Sequence, residues 1–254
     1  MAEKKNEPAK DRDSVVWGLH EVAGALEAGH PVSRVYLARE ASGKPVDRVK
    51  ELARRRKIPF QFVDVGKLGR LTGTRDHQDV AALISPVDFV PFEYLLEGDP
   101  KQPRTVIVPE QVQFARNLGM IARTAVGAGA HAMLLPLRGG RLVNDEVVRA
   151  SSGALFRLPL VASANLGADL KRLKDAGYWV YGLDAGGRQG VFDVDWPPRR
   201  ALVVGNESRG LRPSTRKHLD EILHIPLAGE LESLNVAVAL GVALFDIVRR
   251  DGGK

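Results

Sequence analysis

Three short stretches of this chain hold side chains that chemistry can use. Asn117-Leu118-Gly119, with Arg123 and Thr124 farther along, brings an amide and a guanidinium to what reads as the start of a helix. Free backbone N–H groups beside an arginine make an anion or phosphate site; a loop asparagine followed by a surface arginine fits the same residues. Gly205-Asn206-Glu207-Ser208-Arg209-Gly210 follows the apolar run ALVV, and its glycines permit a ligand to approach the backbone closely. The loop lacks the lysine and hydroxyl of a Walker A motif and the spacing of GxGxxG, which counts against nucleoside triphosphates and nicotinamide dinucleotides. Glu207 also suits a helix start, where the macrodipole favours an acid. The third stretch, Ile225-Pro226-Leu227 with Gly229 and then Ser233-Leu234-Asn235, sets a hydroxyl and an amide before an apolar helix. Those are equally the residue types of a helix N-cap.

Composition narrows what these groups can do. The chain has no cysteine, which removes disulfides, thiolate zinc sites, iron–sulfur clusters and cysteine nucleophiles. Its six histidines are scattered without HExxH or paired spacing, so no metal site is expected. A net charge of +6 favours a polyanionic partner. Nucleic acid ranks ahead of a membrane, because no amphipathic basic helix or lipidation signal is visible. The start, MAEKKNEPAKDRD, has no apolar core and reads as neither secretory signal nor anchor, so a cytoplasmic location is expected.

The elements that position the three stretches follow from apolar periodicity. Residues 1–14 offer little to bury and are expected to be a disordered tail. From Val15, strands alternate with helices through residue 88, making a small α/β unit. Arg54, Arg55, Arg56, Lys57 and Arg75 give it a basic surface that reads as a solvated helix face or as a phosphate-binding patch. Residues 89–103, rich in proline, read as a linker whose apolar residues lie against a surface. A second unit, 104–254, shows short apolar runs joined by helices, the pattern of a parallel sheet with helices on both faces. The last helix, roughly 236–249, is apolar on nearly every face yet too short for the ~20 residues of a bilayer span. A second copy of the chain is its simplest cover.

Each stretch alone is weak, but NLGMIARTA, VVGNESRGL and IPLAGELESLNVAVAL stand in one order and spacing. Over residues 105–249 the sequence resembles the SpoU/TrmH family of RNA ribose 2′-O-methyltransferases in the SPOUT superfamily. The front unit, WGLHEVAGALEAG through HQDVAALI, resembles the L30e-like RNA-binding domain of the RlmB-like subgroup. The resemblance departs at Phe114 and Ala115, where many relatives carry Asp-Pro.

The resemblance implies a parallel-sheet SPOUT domain with a deep trefoil knot, preceded by the L30e-like domain. It implies S-adenosylmethionine bound by backbone near Gly205, Asn206, Ile225, Leu227 and Leu234, and a homodimer formed through the knot region. It assigns catalytic positions to Asn117, Arg123, Glu207, Ser233 and Asn235, with Arg123 as phosphate clamp or base and Glu207 orienting Arg123 or its loop. The expected reaction is 2′-O-methylation of a ribose in structured RNA, foremost a guanosine of 23S ribosomal RNA, needing no metal. A tRNA or antibiotic-resistance rRNA ribose methyltransferase and a non-catalytic RNA-binding protein are the competing expectations.

Overall fold

The computed structural model describes residues 14–30, 32–84, 87–136, 143–229 and 231–252. Except for Ser14, the tail expected over 1–14 lies outside them; Ser14 begins the first strand. The chain divides into two compact units, 1–87 and 88–254.

The first unit alternates strand and helix throughout: β1 (Ser14–Trp17), α1 (Leu19–Glu27), β2 (Val32–Ala38), α2 (Lys44–Arg55), β3 (Phe60–Val63), α3 (Val65–Thr72) and β4 (Val80–Ile84). The sheet order is β1-β4-β2-β3, with β4 antiparallel to both neighbours and β2 parallel to β3. Helix α2 begins with Pro45 in its first turn and buries Val46, Val49 and Ala53, a three- and four-residue spacing that leaves its arginines outside. Helix α3 is capped by Asp64, which accepts from Lys67 N at 2.8 Å, and ends at Gly73 with a left-handed φ of 70°.

The second unit is organised by seven strands: β5 (Arg104–Pro109), β6 (Ala132–Pro136), β7 (Leu160–Ser163), β8 (Trp179–Leu183), β9 (Gln189–Gly190), β10 (Arg199–Val204) and β11 (Glu221–His224). They form one wholly parallel sheet in the order β7-β6-β5-β10-β8-β11-β9. The helices are α4 (Ala115–Gly127), α5 (Asp145–Ala150), α6 (Leu166–Asp175), α7 (Pro213–Arg216) and α8 (Val236–Arg250). The expected parallel α/β sheet is therefore present. All six residues of β10 are buried, which explains the unbroken apolar run ALVV. Before that run, Arg199 and Arg200 are buried too. Arg199 donates to the carbonyls of Ala176, Glu97 and Gly98, while Arg200 donates to Thr105 and Pro197 and pairs with Asp251.

Segment 88–103 belongs to the second unit's core. Val90 N donates to Leu160 O at 2.8 Å, Phe92 and Leu95 are buried among Val106, Val161 and Tyr178, and Tyr178 Oη donates to Leu95 O. Helix α5 stops at Ala150, because Ser152 and Gly153 take left-handed φ of 50° and 74°, and a 3₁₀ turn follows. Gln189–Gly190 closes the sheet edge against β11. Among the described residues, no helix is long and apolar enough to cross a membrane.

The strand order dictates where a ligand can sit. Strand β5 has β6 and β7 on one side and β10, β8, β11 and β9 on the other, so the chain's progress across the sheet reverses at β5. Val204 pairs with Pro109, so the loops after β10 and β5 leave the sheet side by side, the position at which open parallel sheets bind ligands.

Candidate active site

The loop after β10 is a closed turn. Asn206 and Gly210 exchange backbone hydrogen bonds at 3.0 and 2.9 Å, and Asn206 Oδ1 accepts from Ser208 N and Arg209 N. A Cβ at Gly205 would lie 2.3 Å from Gly210 C and 2.5 Å from Leu211 N. The glycine is thus required by the loop's own backbone. Asn206 Nδ2 also donates to Gln111 O at 3.0 Å, tying this turn to the loop after β5.

The three stretches meet in a chain of side-chain hydrogen bonds. Asn117, buried near the start of α4, donates from Nδ2 to Glu207 Oε1 at 2.9 Å, and its Oδ1 accepts from Asn235 Nδ2 at 3.1 Å. Asn235 caps α8 at the same time, its Oδ1 accepting from Ala237 N at 2.9 Å. The cap expected from its sequence position is therefore present, and the same side chain also reaches Asn117. The Glu207 carboxylate accepts from Gln113 N and Phe114 N at 3.3 and 3.4 Å, groups at the positive end of α4. Burial on its own would raise the Glu207 pKa, but the hydrogen bonds from Asn117 and from backbone N–H groups outweigh it and hold the carboxyl below its ordinary value. Glu207 thus orients Asn117 and the start of α4, not Arg123.

Beside this chain lies a cavity of about 380 Å³ formed by the loops after β8, β10 and β11 and by the start of α8. Gly205, Asn206, Ile225, Leu227 and Leu234 all line it, as do Glu207, Ser233 and Asn235. Asp184, which sequence reading passed over, forms one wall. Burial alone would raise its pKa, yet the Arg216 guanidinium paired with it and the Gly186 N–H lower it. An open cleft of about 660 Å³ lies on the other side of Glu207 and Asn235, lined by Phe114, Arg116 and Asn117 of α4 and by Asn144 and Glu146 at the start of α5. A further cavity of about 530 Å³ over the ends of β5, β6 and β7 contains none of the predicted residues.

Two expectations need correction. Arg123 does not stand near the helix start: it is the ninth residue of α4, about 12 Å along the axis at 1.5 Å per residue. Six residues from Asn117 is also about 120° around the helix, so the two share no face. Its guanidinium is exposed and donates to Ser152 Oγ at 3.1 Å; Arg116 is the arginine at the α4 start. In the first unit, Arg54, Arg55, Lys57 and Arg75 are exposed, but Arg56 is turned inward. It donates to the carbonyls of Leu26 and His30 at 3.1 and 2.9 Å and to Gly29 O at 2.7 Å, closing the end of α1. Arg54 lies over Phe60, 5.4 Å from the ring centre.

Residues 104–245 match the model of the SpoU rRNA Methylase family. The chain belongs to that family. Residues 15–90 match the model for RNA 2′-O ribose methyltransferase substrate binding, so the family's two modules stand in the order read from the motifs. An uncharacterized tRNA/rRNA methyltransferase of Synechocystis is 31% identical over 97% of this chain, which spans 65% of that protein's length. The crystal structure of the SpoU methyltransferase AviRb from Streptomyces viridochromogenes with AdoMet aligns at a TM-score of 0.79 and 27% identity, covering 95% of this chain and 92% of that one. An AdoMet-bound rRNA methyltransferase from Sinorhizobium meliloti aligns at 0.78 and 26% identity, covering 94% and 88%.

Proposed function

We propose that this protein transfers a methyl group from S-adenosylmethionine to the 2′-hydroxyl of a ribose in structured RNA, foremost a guanosine of 23S ribosomal RNA. The observation that carries the reading is the Glu207–Asn117–Asn235 chain, which locks three distant stretches together where a cavity and a more open cleft adjoin. One compartment suits a cofactor and the other an acceptor.

The residues present fit the cofactor. Ile225, Leu227, Leu234 and Ala239 offer an apolar surface for an adenine ring, the backbone of 205–210 offers donors and acceptors for its polar edges, and about 380 Å³ lies within the range of small-molecule sites. When bound, S-adenosylmethionine supplies an electrophilic methyl on a sulfonium, so no metal is needed. This chain must then align the ribose and exclude competing geometries. Asn235, which lines both compartments, and Ser233, which lines the cavity, position the ribose, and Glu207 holds Asn117 and through it Asn235 in place. Arg123, exposed on α4, clamps an RNA phosphate; a guanidinium hardly ever gives up its proton, which favours that role over a base.

The first unit grips the RNA by its phosphates through Arg54, Arg55, Lys57 and Arg75. Helix α8 leaves Val238 and Phe245 exposed at 46% and 53%, and α4, packed on it, leaves Met120 exposed, which supports a homodimer through this face. The deep trefoil knot belongs to the same reading, at the loops after β8, β10 and β11. A ribosomal or transfer RNA substrate sets the reaction in the cytoplasm.

The test is incubation with methyl-labelled S-adenosylmethionine and unmodified ribosomal and transfer RNA transcripts, then nuclease digestion and mass spectrometry of the nucleosides. A 2′-O-methylated nucleoside is expected, and its sequence context assigns the target. Label confined to bases, or absent from RNA altogether, overturns the reading.

A further inference from the structure

The most exposed large apolar side chain among the described residues is Phe114, at 61%, and it stands inside the open cleft. Its backbone is fully employed: Phe114 is the N-cap residue of α4, with extended φ and ψ of −84° and 119°, and its N–H points to Glu207. Its side chain provides no cap.

The surroundings say what the ring suits. Phe114 is the one large apolar side chain among the described residues of the cleft; the others include the amides of Gln113, Asn117 and Asn144, the Glu146 carboxylate and the Arg116 guanidinium. A protein-binding hot spot seats its aromatic among other large apolar groups, and the described lining of the cleft has no other. A lone aromatic face flanked by a guanidinium and by the amides of Gln113 and Asn144 suits an unstacked nucleobase: the ring takes the base's π-face, those two amides take its polar edge, and an arginine takes a phosphate.

We propose that the cleft between the starts of α4 and α5 is a nucleotide subsite, in which Phe114 stacks on a nucleobase of the acceptor RNA and Arg116 meets an adjoining phosphate. The proposal rests on the ribose methyltransferase reading and deepens it: the acceptor nucleotide is drawn out of its stack and held by its base while its sugar faces Asn235. Every base has a π-face, so this contact sets affinity and not base identity.

The experiment compares wild type with Phe114→Ala, Phe114→Leu and Phe114→Trp, using methyl transfer to unmodified 16S and 23S ribosomal RNA and tRNA transcripts. Phe114→Ala is expected to lower kcat/KM for RNA about tenfold or more, the scale of a lost base–aromatic stack. Phe114→Trp should restore it and Phe114→Leu should not. Calorimetry should show unchanged S-adenosylmethionine affinity in all three, and sedimentation an unchanged oligomeric state. In parallel, a mixed-sequence single-stranded decamer carrying 2-aminopurine should be quenched by wild type more than by Phe114→Ala. Wild-type kcat/KM in Phe114→Ala, equal rescue by leucine and tryptophan, or a change of oligomeric state overturns the subsite. If wild type methylates no transcript, the proposed function fails by itself, and the decamer still decides whether the ring stacks on bases.

Discussion

Asn117 accepts a hydrogen bond from Asn235 across 118 residues of chain, at 3.1 Å, while giving its own amide hydrogen to Glu207. Both functional ends of this one side chain are committed, so removing a neighbour leaves a buried polar group unpaired. Glu207→Ala is expected to destabilise the protein by about 1–3 kcal/mol, the cost of an unsatisfied buried donor. It should also release Asn235 and depress methyl transfer far more than Glu207→Gln, whose oxygen still accepts from Asn117. Thermal melts and single-turnover methylation of both variants check this; equal behaviour of the two would contradict the positioning role.

Arg56 separates structural from RNA-facing charge in the first unit. Arg56→Ala removes donors to Leu26, Gly29 and His30 and should destabilise by about 1.5–3 kcal/mol, the range for hydrogen bonds to a charged group. Arg54→Ala, Arg55→Ala and Lys57→Ala should leave the melting temperature within a degree or so, weaken RNA binding, and each flatten its salt dependence by about one counterion. Filter binding across a salt series measures it. An Arg56→Ala variant that melts like wild type would place Arg56 back among the RNA contacts.

These four adjacent positions show what a sequence can and cannot disclose. RRRK is visible as a basic run, yet the phase at which α2 ends turns Arg56 inward and the others out. The strands were legible because β5 and β10 are covered on both faces and so carry unbroken apolar runs. β9 was not, since two residues have no periodicity. Arg199 and Arg200 read as surface residues by type, and only the carbonyls gathered at the lower end of the sheet explain their burial. In the candidate site the structure joins one residue from each motif, Glu207, Asn117 and Asn235, although they lie 90 and 118 positions apart. Partnership over such distances is set by strand order, which spacing along the chain does not encode. Arg123 was misplaced for the converse reason: closeness in sequence was read as closeness to the helix start.

Acid should loosen the end of α8. Burial on its own would raise the Asp246 pKa, but donors from Trp196, Arg249 and Arg250 hold it below the ordinary carboxylate value. A carboxyl whose folded pKa lies below its unfolded value of about 3.9 stabilises fully above that value, and the contribution is lost as pH falls through the folded one. Urea midpoints should therefore fall more steeply below about pH 4 for wild type than for Asp246→Asn, with the two curves converging in strong acid. Parallel curves across that window would show that Asp246 does not couple folding to protons.

The apolar face of α8 gives a prediction about assembly. Val238 and Phe245 lie seven residues apart, two turns on one side of the helix, while Leu240, Ala243, Leu244 and Ile247 are buried. A charge at Phe245 leaves that inner face untouched, so Phe245→Glu is expected to fold, to keep its melting temperature at low concentration, and to sediment as a monomer where wild type is a dimer. Burying a carboxylate in an apolar interface costs several kcal/mol, enough to shift a dimer equilibrium at least a hundredfold. The decisive measurement is sedimentation velocity across a concentration series. A wild type that stays monomeric at the highest concentration, or a Phe245→Glu variant that still dimerises, would mean that this face has another occupant.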